Sequence, residues 1–329
     1  MSRTIITHVG TTTLTRIEQT PRGRQLVERL NTMFAGGNNP PEADLTASVT
    51  ALTTHLHYLW TEVWNGTSAE DQRERRKVLP AELASLSLLA LQPSDRVVLL
   101  ASETPEGRFC AWVLERLLRL SADTTLLERL LTATHPIAPD FPTCTSDHLS
   151  LVEIAGLRVN ADSRFDNHQP ATAAIFVRKG LVHYVDAIWD IYNGVDRGQK
   201  LVFNVTGGYK GMIPIARDVA MLLADHHRTV DPTFTCELCY LYEESSELIV
   251  YGVLPIEFVL ERALREQLTA AAPPDGAPVS GSWSRDHPRW KPFFIPVPGQ
   301  SQLIQHQRSP LGEVILALYK HLQPEPEAE

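Results

Sequence analysis

Phe203-Asn204-Val205-Thr206-Gly207-Gly208-Tyr209-Lys210-Gly211-Met212-Ile213-Pro214 is the stretch on which the fold turns. An apolar, β-rich run (KLVFNV, residues 200–205) enters a glycine-rich loop, and a helix-patterned segment over 212–226 follows. Three glycines let the backbone approach a ligand closely and adopt positive φ. A helix start beyond them offers N–H groups and the positive end of the helix dipole, which suits a phosphate. Lys210 adds a mobile cation there, and Pro214 falls in the first turn, where its missing N–H does no harm. The same spacing also describes a tight strand-to-helix turn with an exposed lysine, and it leaves both readings open. Neither G-x-x-x-x-G-K-[ST] nor G-x-G-x-x-G occurs anywhere in the chain.

Working outward, strand and helix patterns alternate. Strands are expected at 3–9 (RTIITHV), 96–101 (RVVLLA), 149–154, 236–242 and 248–253. Helices are expected at 25–34, 43–64, 81–91, 109–120, 124–133, 183–193 and 311–322. Residues 71–77 (DQRERRK) read as a solvated helix face. This alternation predicts an α/β fold with a mostly parallel sheet and helices on both faces. The last two strands lie too close for a crossover and should form an antiparallel edge hairpin.

The composition sets limits. In 329 residues, 30 Lys and Arg against 39 Asp and Glu give a net charge of −9, with 43% apolar and 21% charged residues. That is ordinary globular composition. No apolar run approaches the roughly 18 residues of a membrane span, and the first residues do not read as a signal peptide. Four cysteines do not make a disulfide framework, so a cytoplasmic protein is expected. The acidic balance disfavours long nucleic acid as a partner. A small anion in a local pocket stays open.

In open α/β sheets, ligands bind outside the carboxyl ends of the strands. That rule selects the loops at 10–13, 102–107, 156–164, 206–211 and 243–246, all rich in Gly, hydroxyl or charged residues. Four of these segments resemble the CRISPR-associated Rossmann-fold (CARF) family, in the expected order. They are Ile5-Ile6-Thr7-His8-Val9-Gly10-Thr11-Thr12, Ser102-Glu103-Thr104-Pro105-Glu106-Gly107-Arg108, the stretch quoted at the start, and Tyr242-Glu243-Glu244-Ser245-Ser246-Glu247-Leu248. The resemblance covers roughly residues 1–260. It implies a Rossmann-like domain over 1–268 with a helical insertion at 21–80, a linker at 269–282 and a small C-terminal extension at 283–329.

The resemblance further implies a homodimer that binds cyclic oligoadenylate, with cyclic tetra-adenylate the expected ring, and no cofactor, metal or membrane. Some members are ring nucleases that cleave the ring without metal to linear products ending in 2′,3′-cyclic phosphate. Others only sense it and signal to an effector. Lys210, Thr11 and Thr12 are the expected catalytic residues: Lys210 would stabilise transition-state charge, and a loop hydroxyl would hold a phosphate or orient the ribose. The family's first loop often carries Ser where this chain has Thr, which keeps the hydroxyl. Gly10, Thr13, Ser102, Thr104, Glu106, Arg164, Thr206, Gly207, Gly208, Tyr209, Gly211 and Glu243 are the expected ligand-binding residues. An unrelated doubly wound nucleotide-binding enzyme is the remaining reading.

Other signals carry less. R-x₄₋₆-H, the mark of the HEPN ribonuclease often fused to this family, occurs at Arg129–His135 and Arg178–His183, but neither lies in a C-terminal helical domain. About 60 residues follow residue 268, so no such domain is expected. Cys236 and Cys239 fall in a strand, where residues three apart face opposite sides, which argues against a shared metal. His8 reads as a core histidine, and His226-His227 as a solvated helix end. Arg158 reads as surface charge. Trp283, Trp290, Phe293 and Phe294 read as an aromatic cluster packing the tail onto the body.

Overall fold

The computed structural model describes residues 2–34, 40–59, 68–120, 144–157, 175–195, 198–228, 233–242, 247–253, 294–296, 306–308 and 310–322. Six strands form one sheet: β1 (Arg3–His8), β2 (Arg96–Ser102), β3 (Leu149–Ile154), β4 (Lys200–Asn204), β5 (Thr235–Leu241) and β6 (Leu248–Gly252). Their order is β3-β2-β1-β4-β5-β6. β1 to β5 run parallel, and β6 pairs antiparallel with β5. The fold is therefore Rossmann-like, with the edge hairpin that the sequence predicts. The strand order reverses between β1 and β4, which makes the gap between their carboxyl ends the topological switch point.

Five helices follow β1: α1 (Thr12–Ile17), α2 (Pro21–Phe34), α3 (Glu42–Tyr58), α4 (Ala69–Val78) and α5 (Ala81–Leu88). α2 to α4 fall within residues 21–80. Then come α6 (Pro105–Leu120), one π-helical turn (Phe176–Gly180), α7 (Leu181–Asn193), α8 (Met212–Arg228), a short hairpin β7–β8 (Phe294–Pro296 with His306–Arg308) and α9 (Pro310–Leu322). No helix among the described residues is long and apolar enough to cross a membrane.

The central strands β1, β2 and β4 are buried on both faces, so they read as near-continuous apolar runs, yet their side chains sort by parity. Ile5, Val97, Leu99 and Val202 point to a core shared with α1, α2, α3, α5 and α6. Ile6, Val98, Leu100, Leu201 and Phe203 point to a second core with α7, α8 and α9. Cys236 joins the second core and Cys239 the first, the opposite facing that the strand period predicts. At the amino edge of the sheet, Arg3 clamps Asp95 through its backbone N–H and guanidinium. Burial alone would raise the Asp95 carboxyl, but hydrogen bonds from Arg3 and Gln92 and the Arg3 charge outweigh it and lower its pKa.

Three details depart from the sequence reading. α6 begins at Pro105 rather than 109, because the Thr104 hydroxyl accepts the Gly107 N–H (3.1 Å) and caps the helix. His227 is buried rather than solvated: the Tyr192 hydroxyl and His227 Nδ1 are hydrogen-bonded, and its ring stacks on Phe234 at 4.0 Å. The tail contributes β7–β8, and α9 buries Val314, Ala317 and Leu318 in the second core. The helix expected at 124–133, the linker at 269–282, Trp283, Trp290 and Phe293 lie outside the described residues, as do Arg129, His135, Arg158, Arg164 and Glu243.

Phe203 is fully buried between the sheet and the α7/α8 layer. Phe203→Ala is expected to cost about 3–5 kcal/mol, read as a lowered urea midpoint at unchanged slope.

Candidate functional site

The loops after β1 and β4 pass each other at the switch point. A Cβ at Gly10 would fall 2.5 Å from Gly208 N, and Gly208 itself sits at φ +79°. A Cβ at Gly207 would collide with both the His8 carbonyl oxygen and the Glu82 carboxylate. The glycines of both loops are thus explained by the approach of two backbones and a side chain, before any ligand is considered.

Glu82, in the first turn of α5, is the side chain between them, and it is fully buried. Its Oε1 accepts the Gly10 N–H at 2.6 Å, and its Oε2 accepts the Thr12 hydroxyl at 2.8 Å. The Thr12 oxygen in turn accepts the Ala81 N–H at 3.2 Å. Burial raises the Glu82 carboxyl above its ordinary value, and the bonds from Gly10 and Thr12 only partly offset this. The β4 side is tied down in parallel. Asn204, buried, donates to Ser85 Oγ at 2.8 Å and accepts the Thr206 N–H at 3.3 Å. The Thr206 hydroxyl accepts the Leu241 N–H at 2.9 Å, which links the loop to the end of β5.

Over these loops opens a cavity of about 590 Å³. It is lined by His8, Gly10 and Thr11 from the end of β1, Ser102 from β2, and Thr104 and Glu106 at the start of α6. Tyr184 from α7, and Gly208, Tyr209 and Lys210 after β4, complete the wall. The cavity therefore brings together Gly10, Thr11, Ser102, Thr104, Glu106, Gly208, Tyr209 and Lys210 from the sequence-predicted set.

Five members of that set lie elsewhere. The hydroxyls of Thr12 and Thr206 serve the scaffold, as described. Thr13 is fully buried in α1, Gly207 packs on Glu82, and Gly211 lies beneath the Tyr209 ring. Thr11 precedes α1 without capping it, so of the two candidate hydroxyls its own is the one placed at the cavity. The expected cradle of helix amides is also narrower than the sequence reading. The Gly10 N–H belongs to Glu82, and the Met212 and Ile213 N–H groups close a tight turn on the carbonyls of Tyr209 and Lys210.

Positive charge, an aromatic face, hydroxyls and one carboxylate, Glu106, remain as the polar chemistry of the lining, beside apolar Leu14, Leu100, Leu157 and Met212. Lys210 is exposed at the cavity. Tyr209 is 51% exposed and held edge-on by Phe176, ring centroids 6.3 Å apart. Ser102 and Thr104 share a hydroxyl–hydroxyl bond of 2.8 Å on the opposite wall. Deeper in, His8 Nε2 lies 3.0 Å from the Tyr184 hydroxyl, with the rings edge to face. Burial lowers the His8 pKa to about 4, so its imidazole is neutral at pH 7. His8 is the core histidine that the sequence suggests, and it is also a wall of the cavity.

Sequence reasoning passed over Glu82 and Tyr184. Glu82 did carry a signal: it is the one charged residue in the helix AELASLSL. A lone carboxylate in an otherwise apolar helix marks a buried charge in need of partners. Tyr184 lies in an apolar helix with several aromatics and offers no such mark.

The class that fold and site define is a Rossmann-like α/β protein with a lysine- and hydroxyl-lined cavity at its switch point. No protein-family model and no curated protein sequence matches the chain.

His8 sets a pH response. Its folded pKa is below the unfolded value, so the stability it contributes is complete above pH 6.5 and is lost as pH falls toward 4. Acidification across that window should remove up to about 3 kcal/mol through this residue. Urea unfolding at several pH values should show a clearly smaller acid loss for His8→Gln.

Proposed function

We propose that the chain is a CARF-type protein of the cytoplasm that binds cyclic oligoadenylate, with cyclic tetra-adenylate the leading ring, and linearises it without metal. The observation that carries this reading is the cavity. Lys210, Tyr209, Thr11, Ser102 and Thr104, drawn from three of the four segments that resemble the family, meet at one switch point. The remaining segment holds Glu243, outside the described residues.

The ligand's symmetry then dictates the assembly. Cyclic tetra-adenylate has a two-fold axis, and a homodimer with the same symmetry presents each loop twice. A cavity of about 590 Å³ per chain falls within the roughly 300–1,000 Å³ of small-molecule sites and suits half a ring. Lys210 faces a phosphate, and Tyr209 offers its ring to an adenine. The Thr11 and Ser102–Thr104 hydroxyls bond phosphate or ribose oxygens.

Cleavage follows from placement. The ribose 2′-oxygen, held in line, attacks the adjacent phosphorus, and the P–O5′ bond breaks. The 2′-hydroxyl proton passes to water, the 5′-oxygen takes a proton from water and leaves as a hydroxyl, and a 2′,3′-cyclic phosphate remains. Alignment supplies much of the acceleration, and Lys210 stabilises the charge that builds on the phosphoryl oxygens.

A second reading is a sensor that binds without cutting. One observation favours it: α7 brings Tyr184 to the cavity and packs against α9 through Asp186–His321 (2.8 Å) and the stacked Trp189–His321 pair. Occupancy of the cavity thereby bears on the C-terminal extension.

Incubation of cyclic tetra-adenylate with excess protein in EDTA should yield linear product, and Lys210→Ala should slow it about 10²–10³-fold. An intact ring at long times supports the sensor. Tyr209→Ala should weaken ring binding by about 1–3 kcal/mol for each stacked base lost, measured by equilibrium titration.

A further inference from the structure

We infer that Glu82 is the positioning residue of the anion site, and that it takes up a proton when an anion occupies the cavity. The inference rests on reading the cavity as a phosphate site.

The geometry comes first. Glu82 bridges the two loops that form the cavity floor, through the Gly10 N–H and the Thr12 hydroxyl on one side and close packing under Gly207 on the other. Among the described residues no Lys, Arg or His forms an ion pair with Glu82. Gly10 and Gly208 line the cavity, and Glu82 touches the first directly. An anion arriving there brings a second negative charge to a poorly solvated region, and like charges in such a place favour protonation of one of them.

The carboxyl can accept that proton without moving. In the ionised state Thr12 donates to Oε2 while its oxygen accepts the Ala81 N–H. In the protonated state the Oε2–H donates to the same Thr12 oxygen, whose second lone pair still accepts from Ala81 while its own hydrogen rotates away from Glu82, and Oε1 keeps the Gly10 N–H. Both states therefore hold the loop in one conformation, and only the charge beneath it changes.

The groups around the site narrow the linkage to its two carboxylates. On α6, the Cys110 thiol is pushed up by burial first and then by the charge of Glu82. On β1, His8 titrates near 4 and stays neutral. Tyr184 of α7 is pushed up by burial. Asn204 and Ser85 are uncharged. Lys210, in the β4 loop, is the cation at the cavity, and Glu106 of α6 is a carboxylate that lines it, whereas Glu82 lies beneath the lining glycines. Glu106 is therefore the competing proton acceptor, which the test separates from Glu82.

The sign follows. A carboxyl raised by burial favours the folded state in its protonated form, so it weakens folding as pH rises out of the usual carboxylate range. An anion that prefers the protonated form binds more tightly at lower pH, by up to about tenfold per pH unit for one linked proton.

The test uses the full chain, wild type, Glu82→Gln and Glu106→Gln, titrated calorimetrically with cyclic tetra-adenylate between pH 5.5 and 8.5 in buffers of differing ionisation enthalpy. Sulfate, which does not titrate in this range, is the second probe. Infrared difference spectra of the wild type on adding each probe report the carboxyl directly.

Expected are proton uptake on binding, affinity that falls several-fold per pH unit, and a gain of protonated-carboxyl signal in the wild type. Glu106→Gln, whatever it does to affinity as a cavity residue, should retain the proton uptake and the gain of protonated-carboxyl signal. Glu82→Gln, which keeps an acceptor for Gly10, should lose all three and bind more tightly than wild type at pH 8. Proton uptake that survives Glu82→Gln, or that vanishes in Glu106→Gln alone, overturns the assignment. So does a wild type that shows no uptake with either probe, a measurement that needs no variant to fold. If sulfate binds with uptake and cyclic tetra-adenylate does not bind, the Glu82 inference stands and the proposed ligand falls.

Discussion

Two neighbouring parallel strands, β1 and β4, end in loops that must pass within contact distance, and a buried carboxylate lies between them. Much of the site follows from that crowding. Gly10, Gly207 and Gly208 are required because side chains there would meet Gly208 N, the Glu82 carboxylate and the His8 backbone and side chain. The hydroxyl of Thr12 is drawn away from the cavity to satisfy Glu82, and Asn204 and Thr206 pin the other loop to α5 and β5. Left at the cavity surface are Thr11, Lys210, Tyr209, the Ser102–Thr104 pair and Glu106. The scaffold uses one set of polar groups to close the switch point and exposes another set to a ligand.

The centre of the sheet was readable in the sequence because β1, β2 and β4 are buried on both faces. RTIITHV, RVVLLA and KLVFNV are short apolar runs bounded by turn residues, and each lies within a residue or two of its strand's observed ends. The edge hairpin was readable from the short gap between the strands at 235–241 and 248–252. Helix starts were less so. α6 begins earlier than its apolar pattern because capping by Thr104, rather than hydrophobic period, sets its first turn. The burial of His227 depends on Tyr192 and Phe234, which lie in two other elements, so no local pattern announces it.

The site was legible to the level of loops and not of hydroxyls. Strand ends named the right loops, since topology alone brings the ends of β1, β2 and β4 together. Within a loop, however, Thr11, Thr12 and Thr13 are three consecutive threonines that sequence cannot rank. Their separation into a cavity residue, a brace for Glu82 and a core residue follows from the start of helix α1, which turns each to a different side. The glycine loop shows the same limit. Its glycines suggested amides free for phosphate, but Gly10 donates to Glu82, and the first amides of α8 donate to Tyr209 and Lys210. Charge from Lys210 therefore carries more of the proposed anion binding than backbone amides do, in a chain whose net charge is −9.

The central claim is that one cyclic ring is shared by two copies of this cavity across a two-fold axis. Native mass spectrometry of the full chain with cyclic tetra-adenylate, using a Lys210→Ala variant to slow turnover, measures this directly. The account predicts a dimer carrying a single ring at saturation. One ring on each chain, or a monomer that binds a ring by itself, would contradict it.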